Sequence, residues 1–145
     1  MKKLYRCAIT VQQAQQLIKT YGHLGKQLIQ KTQDPIIKKL IEKLEIDFQF
    51  TIKEKSYFRV EKLPRGHDWH QDTGDLGHMK WCDIGCSVLL TDNFTGGKTW
   101  YADNEKHENP TVSDRQLCDL AAHTSDEWHM VEPHLGSRAV LLLFI

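Results

Sequence analysis

EWHMVEPHLGSRAVLLLFI, residues 127–145, holds the strand whose reading decides the fold. From Arg138 onward, side chains of an extended chain alternate between two faces. Arg138, Val140, Leu142 and Phe144 fall on one face, and Ala139, Leu141, Leu143 and Ile145 on the other. Beyond Arg138 both faces are apolar, which predicts a strand covered from both sides and central to a sheet in a sandwich. The Pro/Gly turn in EPHLG separates it from a second strand, EWHMVE, that carries His129. An arginine opening an apolar strand is costly to bury unless an anion meets it.

The same texture runs back to residue 48. FQFTI, SYFRVEKL, GCSVLLT and KTWYA are short, rich in β-branched and aromatic residues, and punctuated by turn clusters such as DNFTGG. Before residue 47 the period changes. A short strand, KLYRCAI, precedes Thr10 and Gln13, which stand at capping-box spacing. Val11, Ala14, Leu17, Ile18, Tyr21, Leu24 and Leu28 then predict an amphipathic helix to about residue 31, weakened by Gly22 and Gly25. Asp34 and Pro35 read as N-cap and first residue of a second helix, whose buried stripe is Ile36, Ile37, Leu40, Ile41 and Leu44. The expected class is α+β: two N-terminal helices packed on an antiparallel sandwich or barrel.

With 145 residues the chain reads as one domain, residues 1–47 a helical support and 48–145 the β core. Net charge is zero but uneven: residues 1–62 hold 13 basic against 6 acidic side chains, and residues 63–145 hold 6 against 13. A basic half raises nucleic acid as a partner. Its lysines are not interleaved with aromatics, so a solvated helical face is the better account and nucleic acid is not the expected partner. An acidic half suits a cation. Cys7, Cys82, Cys86 and Cys118 form no repeating framework, MKKLYRCAIT has no apolar stretch of signal-peptide length, and AVLLLFI is too short to span a bilayer. The expectation is a cytoplasmic protein with free thiols and no membrane segment.

GHDWHQDTGD, residues 66–75, crowds two histidines and three aspartates into ten positions. His70 and Asp72 are two apart, so on an extended strand imidazole and carboxylate point the same way. Two further donors would make a closed zinc site; one distant histidine would make a 2-His-1-carboxylate face with open positions. His129, 57 residues after Asp72 and in a predicted strand, is the candidate third ligand.

With these residues in order, the sequence resembles the 2-oxoglutarate- and iron(II)-dependent dioxygenases, in their prolyl-4-hydroxylase-like branch. WHQD supplies His70 and Asp72; SVLLTDNFTGGKTWY is similar to the family's strand, acidic turn and Gly-Gly strand; HMVEPHLGSR matches the distal histidine, valine, glycine and basic residue at His129, Val131, Gly136 and Arg138. The resemblance covers about residues 55–145. It implies a double-stranded β-helix (a jelly-roll, cupin-like sandwich), Fe(2+) held by His70, Asp72 and His129, and 2-oxoglutarate and O2 as co-substrates. The keto acid would be cleaved to succinate as a substrate C–H bond is hydroxylated. Arg138 would grip its distal carboxylate bidentately, with Thr99 adding a hydroxyl and Val131 walling the pocket. The branch often places a phenol on the strand after His-x-Asp, where this chain reads SVLLT. Tyr57 or Tyr101 is the candidate substitute. A second arginine six residues after the first, found in the DNA-repair branch, is replaced by Phe144.

Trp100, Tyr101 and His67 are candidates for lining a substrate cleft, with residues 73–80 and 103–114 as mobile loops around it. The expected substrate is a protein or peptide side chain; a free amino acid or other small molecule, and a non-catalytic cupin-like metal-binding module, are the alternatives. His78, Cys82 and Cys86 lack a usual zinc spacing and read as buried thiols beside a histidine. GGKT is no phosphate loop, because the earlier glycine it requires falls at Asp92.

Overall fold

The computed structural model describes residues 1–62, 65–73 and 79–145. In chain order its elements are β1 (Lys2–Tyr5), α1 (Val11–Tyr21), β2 (Gln27–Leu28), a 3-10 turn (Ile29–Lys31), α2 (Pro35–Glu45), β3 (Tyr57–Lys62), β4 (His67–His70), β5 (Ile84–Leu89), β6 (Phe94–Gly96), β7 (Thr99–Ala102), β8 (Thr111–Ser113), β9 (Leu120–Thr124), β10 (Trp128–Val131), β11 (His134–Gly136) and β12 (Ala139–Phe144).

Every pairing is antiparallel. A six-stranded sheet runs β1-β9-β5-β12-β3-β2, a four-stranded sheet runs β4-β10-β7-β8, and β11 pairs with β6. As its two-faced apolar pattern requires, β12 is central, with β5 on one side and β3 on the other. The period of two then sorts the large sheet. Ala139, Leu141, Leu143 and Ile145 join Phe58, Val60, Ile84, Val88, Leu120 and Ala122 in one core with the helices. Val140, Leu142 and Phe144, with Tyr57, Arg59, Ala121 and His123, face a cavity on the other side. This is the α+β jelly-roll architecture of a double-stranded β-helix.

The helices begin where their caps predict. Thr10 and Gln13 form a reciprocal capping box, and the Asp34 carboxylate accepts from the Ile36 N–H with Pro35 at the first helical position. All five predicted stripe residues of α2 are buried. Helix α1, however, ends at Tyr21 rather than near residue 31, with Gly22 as its C-cap. Past it, Gln27 and Leu28 pair with Phe58 and Tyr57 as edge strand β2, which leaves Leu24 and Leu28 exposed. The FQFTI segment forms no ladder: Phe48 is buried in the core, and β3 pairs with β12 on one side and β2 on the other. Residues 1–47 are more than a helical support, since β1 and β2 are the two opposite edges of the large sheet.

The sequence reading also passed over β9. LAAHT lacks polar alternation because Leu120 and Ala122 enter the core while Ala121 and His123 face the cavity. Two stretches read as turns, DNFTGG and EPHLG, contribute β6 and β11, which pair with each other. Of the loop at 73–80, residues 74–78 lie outside the described residues, as does His78 of the His/Cys group. The other loop is not free along its length: β8 occupies Thr111–Ser113, and the His107 ring stacks on Trp69 at 4.6 Å. Cys82 and Cys86 are buried, as expected. Among the described residues, no helix is long and apolar enough to cross a membrane.

Because Leu141 is fully buried and Leu142 lines the cavity, Leu141→Ala should cost about 3 kcal/mol in urea unfolding and Leu142→Ala less than half of that.

Candidate metal centre and its cavity

Three strands bring the histidines together. His129 on β10 has His70 of β4 as its partner on one side and Tyr101 of β7 on the other. The β10–β4 register shifts by one residue between His129 and Val131. Such a bulge re-aims side chains, and His67 and His70, three apart, both line the cavity. Strand β4 ends at His70, so Asp72 is not on the strand as the i, i+2 reading supposed. It sits in the bend beyond, tied by its N–H to the Ser125 carbonyl at 3.1 Å. Its carboxylate still returns to the pair: Oδ1 lies 3.9 Å from His70 Nε2 and 3.4 Å from His129 Nε2. These three donor atoms all lie within 4.8 Å of one another.

Hydrogen bonds set which ring nitrogens face that point. His70 Nδ1 donates to the Asp68 carbonyl at 2.7 Å and His129 Nδ1 to the Glu127 carbonyl at 3.0 Å. A carbonyl only accepts, so each neutral ring carries its proton on Nδ1 and presents the Nε2 lone pair, the arrangement a metal requires.

His123, to which the sequence reading gave no work, holds the other carboxylate oxygen. Its Nε2 donates to Asp72 Oδ2 at 2.7 Å, and Tyr101 donates its hydroxyl proton to His123 Nδ1 at 3.1 Å. The Tyr101–His123–Asp72 chain therefore runs in one donor direction and leaves Oδ1 turned toward His70 and His129. Gly85, the cross-strand partner of His123, makes the room. A Cβ there would stand 2.2 Å from Asp72 Oδ2 and 2.9 Å from His123 Nε2. No local signal in LAAHT marks His123; only the β9–β5 register sets it beside a carboxylate 51 residues away.

Asp72 is 6% exposed. Burial opposes its charge, but the hydrogen bonds and charges of His123 and His129 outweigh burial and hold the carboxyl well below the usual carboxylate range. Burial pushes His123 down, against its bond to Asp72, and it pushes His70 down with help from His129, so both favour the neutral ring. For His129, burial is overcome by the bond to Asp72 and its charge, and the pKa rises above its ordinary value near 6.5. Burial also raises the Tyr57 and Tyr101 phenols, which remain donors.

The centre opens into a cavity of about 330 Å³. Tyr57, His67, Thr99, Tyr101, Val131 and Arg138 all line it, whereas Trp100 does not. Alternation along β7 turns Trp100 away from Thr99 and Tyr101, and its indole N–H donates to Glu132 at 2.7 Å. Arg138 is 3% exposed, and its buried Nε has no hydrogen-bond partner. Gly97, with φ +68°, gives that arm its space: a Cβ there would lie 2.8 Å from Arg138 Nε. The sequence reading also missed Arg115, on the segment between β8 and β9. Its guanidinium donates to the Ser87 carbonyl and hydroxyl and, at 3.0 Å, to Thr99 Oγ1.

No protein-family model matches the sequence, and no curated protein matches it. Solved structures do. The fold is that of the 2-oxoglutarate/iron(II) prolyl hydroxylases. A Pseudomonas putida prolyl-4-hydroxylase superposes with a TM-score of 0.73 at 12% identity, over 99% of this chain and 83% of that one. A viral collagen prolyl hydroxylase from Paramecium bursaria Chlorella virus-1, solved with 2-oxoglutarate, gives 0.68 at 13% identity, over 99% and 93%. A Trichoplax adhaerens prolyl hydroxylase, solved with a peptide fragment of the hypoxia inducible factor oxygen degradation domain, gives 0.64 at 16%, over 99% and 83%.

If His123 and Gly85 hold the carboxylate as described, His123→Leu and Gly85→Ala should each weaken Mn(II) binding roughly 10- to 100-fold in calorimetry. A proton on the raised His129 competes with a cation at Nε2, so binding should be weaker at pH 6 than at pH 8 and release protons.

Proposed function

We propose that the chain is an iron(II)- and 2-oxoglutarate-dependent oxygenase that hydroxylates a protein or peptide side chain. The observation that carries this reading is the joint geometry of one cavity. Two imidazole Nε2 atoms and one carboxylate oxygen share a single point, and a buried guanidinium with an unpartnered Nε lines the same space. That donor set suits ferrous iron with coordination positions left for other ligands.

His70, Asp72 and His129 would hold the metal, and Asp72 would lend it one oxygen because His123 retains the other. Iron(II) bound there supplies the coupling of oxidative decarboxylation of 2-oxoglutarate, with O2, to hydroxylation of a C–H bond. Arg138 receives the distal carboxylate of the keto acid through its planar fork, and the Thr99 hydroxyl adds a donor. Tyr57 stays a protonated phenol and offers a further one. Val131, Val140, Leu142 and Phe144 keep water off the reacting groups. His67 and Tyr101 are the substrate-side candidates on the wall; Tyr101 already gives its proton to His123.

A peptide substrate is supported by the Trichoplax adhaerens structure, which was solved with one. A free amino acid or another small molecule, acted on by the same residues, is the alternative that a substrate panel separates. A metal-binding module without catalysis would produce no succinate.

Anaerobic addition of iron(II) and 2-oxoglutarate should give a visible charge-transfer band that His70→Ala abolishes. In air, succinate should form slowly without substrate and faster with the right member of a peptide and metabolite panel. Arg138→Ala should lose that turnover or regain it only at about 100-fold more keto acid, the weight of a charge-assisted pair. An unchanged spectrum in wild type on adding both reagents contradicts the proposal.

A further inference from the structure

Four arginines line the cavity, Arg59, Arg65, Arg115 and Arg138, and the proposed function has no role for Arg115. Nη1 donates to the Ser87 carbonyl at 3.0 Å and to the Ser87 hydroxyl, and Nη2 donates to Thr99 Oγ1 at 3.0 Å. These bonds occupy three of the five N–H groups a guanidinium carries. Each of the three is to a neutral oxygen, so none offsets the charge. Among the described residues, no carboxylate lies within salt-bridge distance of Arg115 or Arg138, whereas the carboxylates of Asp119 and Asp72 are engaged by Arg6 and by the histidines. The one other carboxylate on the wall, Glu61, pairs with Arg59 at 3.5 Å, so Arg115 and Arg138 face the cavity with no carboxylate in contact. Arg138 is buried and Arg115 half-buried; holding like charges in such surroundings without a carboxylate partner is unfavourable, and an anionic ligand is what relieves it. Burial, and then Arg138, work against the Arg115 charge, lowering its pKa to about 10, which still leaves it a cation at neutral pH.

We infer that Arg115 is a specificity residue of this cavity: with Arg138 it forms a paired-cation seat for the distal carboxylate and selects a dicarboxylic over a monocarboxylic 2-keto acid. The inference rests on the keto-acid reading of the site given above. It explains how the chain manages without a phenol on β5. Ser87, the cavity-facing residue there, carries only a short hydroxyl, and Arg115 stands on it and extends a longer arm. Arg115 also acts through Thr99. Because Thr99 Oγ1 accepts from Nη2, its own proton is free for another acceptor, and a carboxylate oxygen in the cavity is one. The distal acid therefore meets a fork from Arg138, the remaining N–H groups of Arg115 and an aligned hydroxyl.

The test is calorimetric binding of 2-oxoglutarate and of 2-oxobutyrate to Mn(II)-loaded wild type, Arg115→Gln and Arg115→Lys, with circular dichroism to verify the fold. Wild type should prefer 2-oxoglutarate by at least about 30-fold, and Arg115→Gln should reduce that preference by at least about tenfold while 2-oxobutyrate binds as before. Arg115→Lys, which keeps the charge but loses the planar fork, should fall between them. If the Gln variant does not fold, the Lys variant decides. An unchanged preference, or equal weakening of both acids as a mere strut for Ser87 and Thr99 would give, overturns the role of Arg115. Wild type that binds neither acid overturns the keto-acid reading itself, and this inference with it.

Discussion

One carboxylate spans the two sheets. Asp72 gives Oδ2 to His123, on β9 of the large sheet, and faces Oδ1 toward His70 and His129, on β4 and β10 of the small one. A charge buried this deeply is unfavourable without partners, and here three imidazoles from both walls of the sandwich surround it. Each depends on a local detail that another residue provides. The β4 bulge turns His70 inward, the Glu127 carbonyl orients His129, and the missing side chain at Gly85 admits His123. The site is therefore a product of sheet-to-sheet packing, and a shift of one sheet against the other would disturb all of these contacts together.

The large sheet keeps two chemistries apart by parity alone. Along β12, Leu141 and Leu143 enter the helix-covered core while Val140, Leu142 and Phe144 wall the cavity. A slip of one residue in register would exchange the faces, so the core that stabilises the fold also fixes which side chains meet the ligand. The edges follow the same economy: β1 and β2 extend the sheet on opposite sides and tie the N-terminal segment to it. Helices α1 and α2 then cover one face and leave the other to the cavity.

Arg138 and Arg115, on the cavity wall with no carboxylate in contact, are a standing cost to the fold. Natural proteins accept such costs where function requires a prepared charge, and an anion that binds only the folded state recovers stability in proportion to its concentration over its dissociation constant. Asp72 and the arginines thus give one cavity both a donor suited to a cation and groups suited to an anion. A keto acid, with a chelating head and an anionic tail, matches both.

Much of this was present in the sequence as short-range pattern. The family resemblance carried by His70, Asp72, His129 and Arg138 pointed to the cavity, although Asp72 lies past its strand; the period of SRAVLLLFI set β12 at the centre of a sheet, and capping residues set the starts of both helices. These readings succeed because side-chain alternation and cap chemistry act over a few residues, where the chain is its own ruler. The tertiary structure alone decided the rest: the early end of α1, where pairing to β3 outweighs helical period; the absence of a ladder at FQFTI, whose Phe48 enters the core instead; and β9, whose small residues carry no alternation. It also decided the parts played by His123 and Arg115, each an unremarkable residue in its own stretch. They gain meaning only from partners 51 and 28 residues away, because hydrogen bonds and buried charge depend on distance in space, which register and packing set and the order of residues does not.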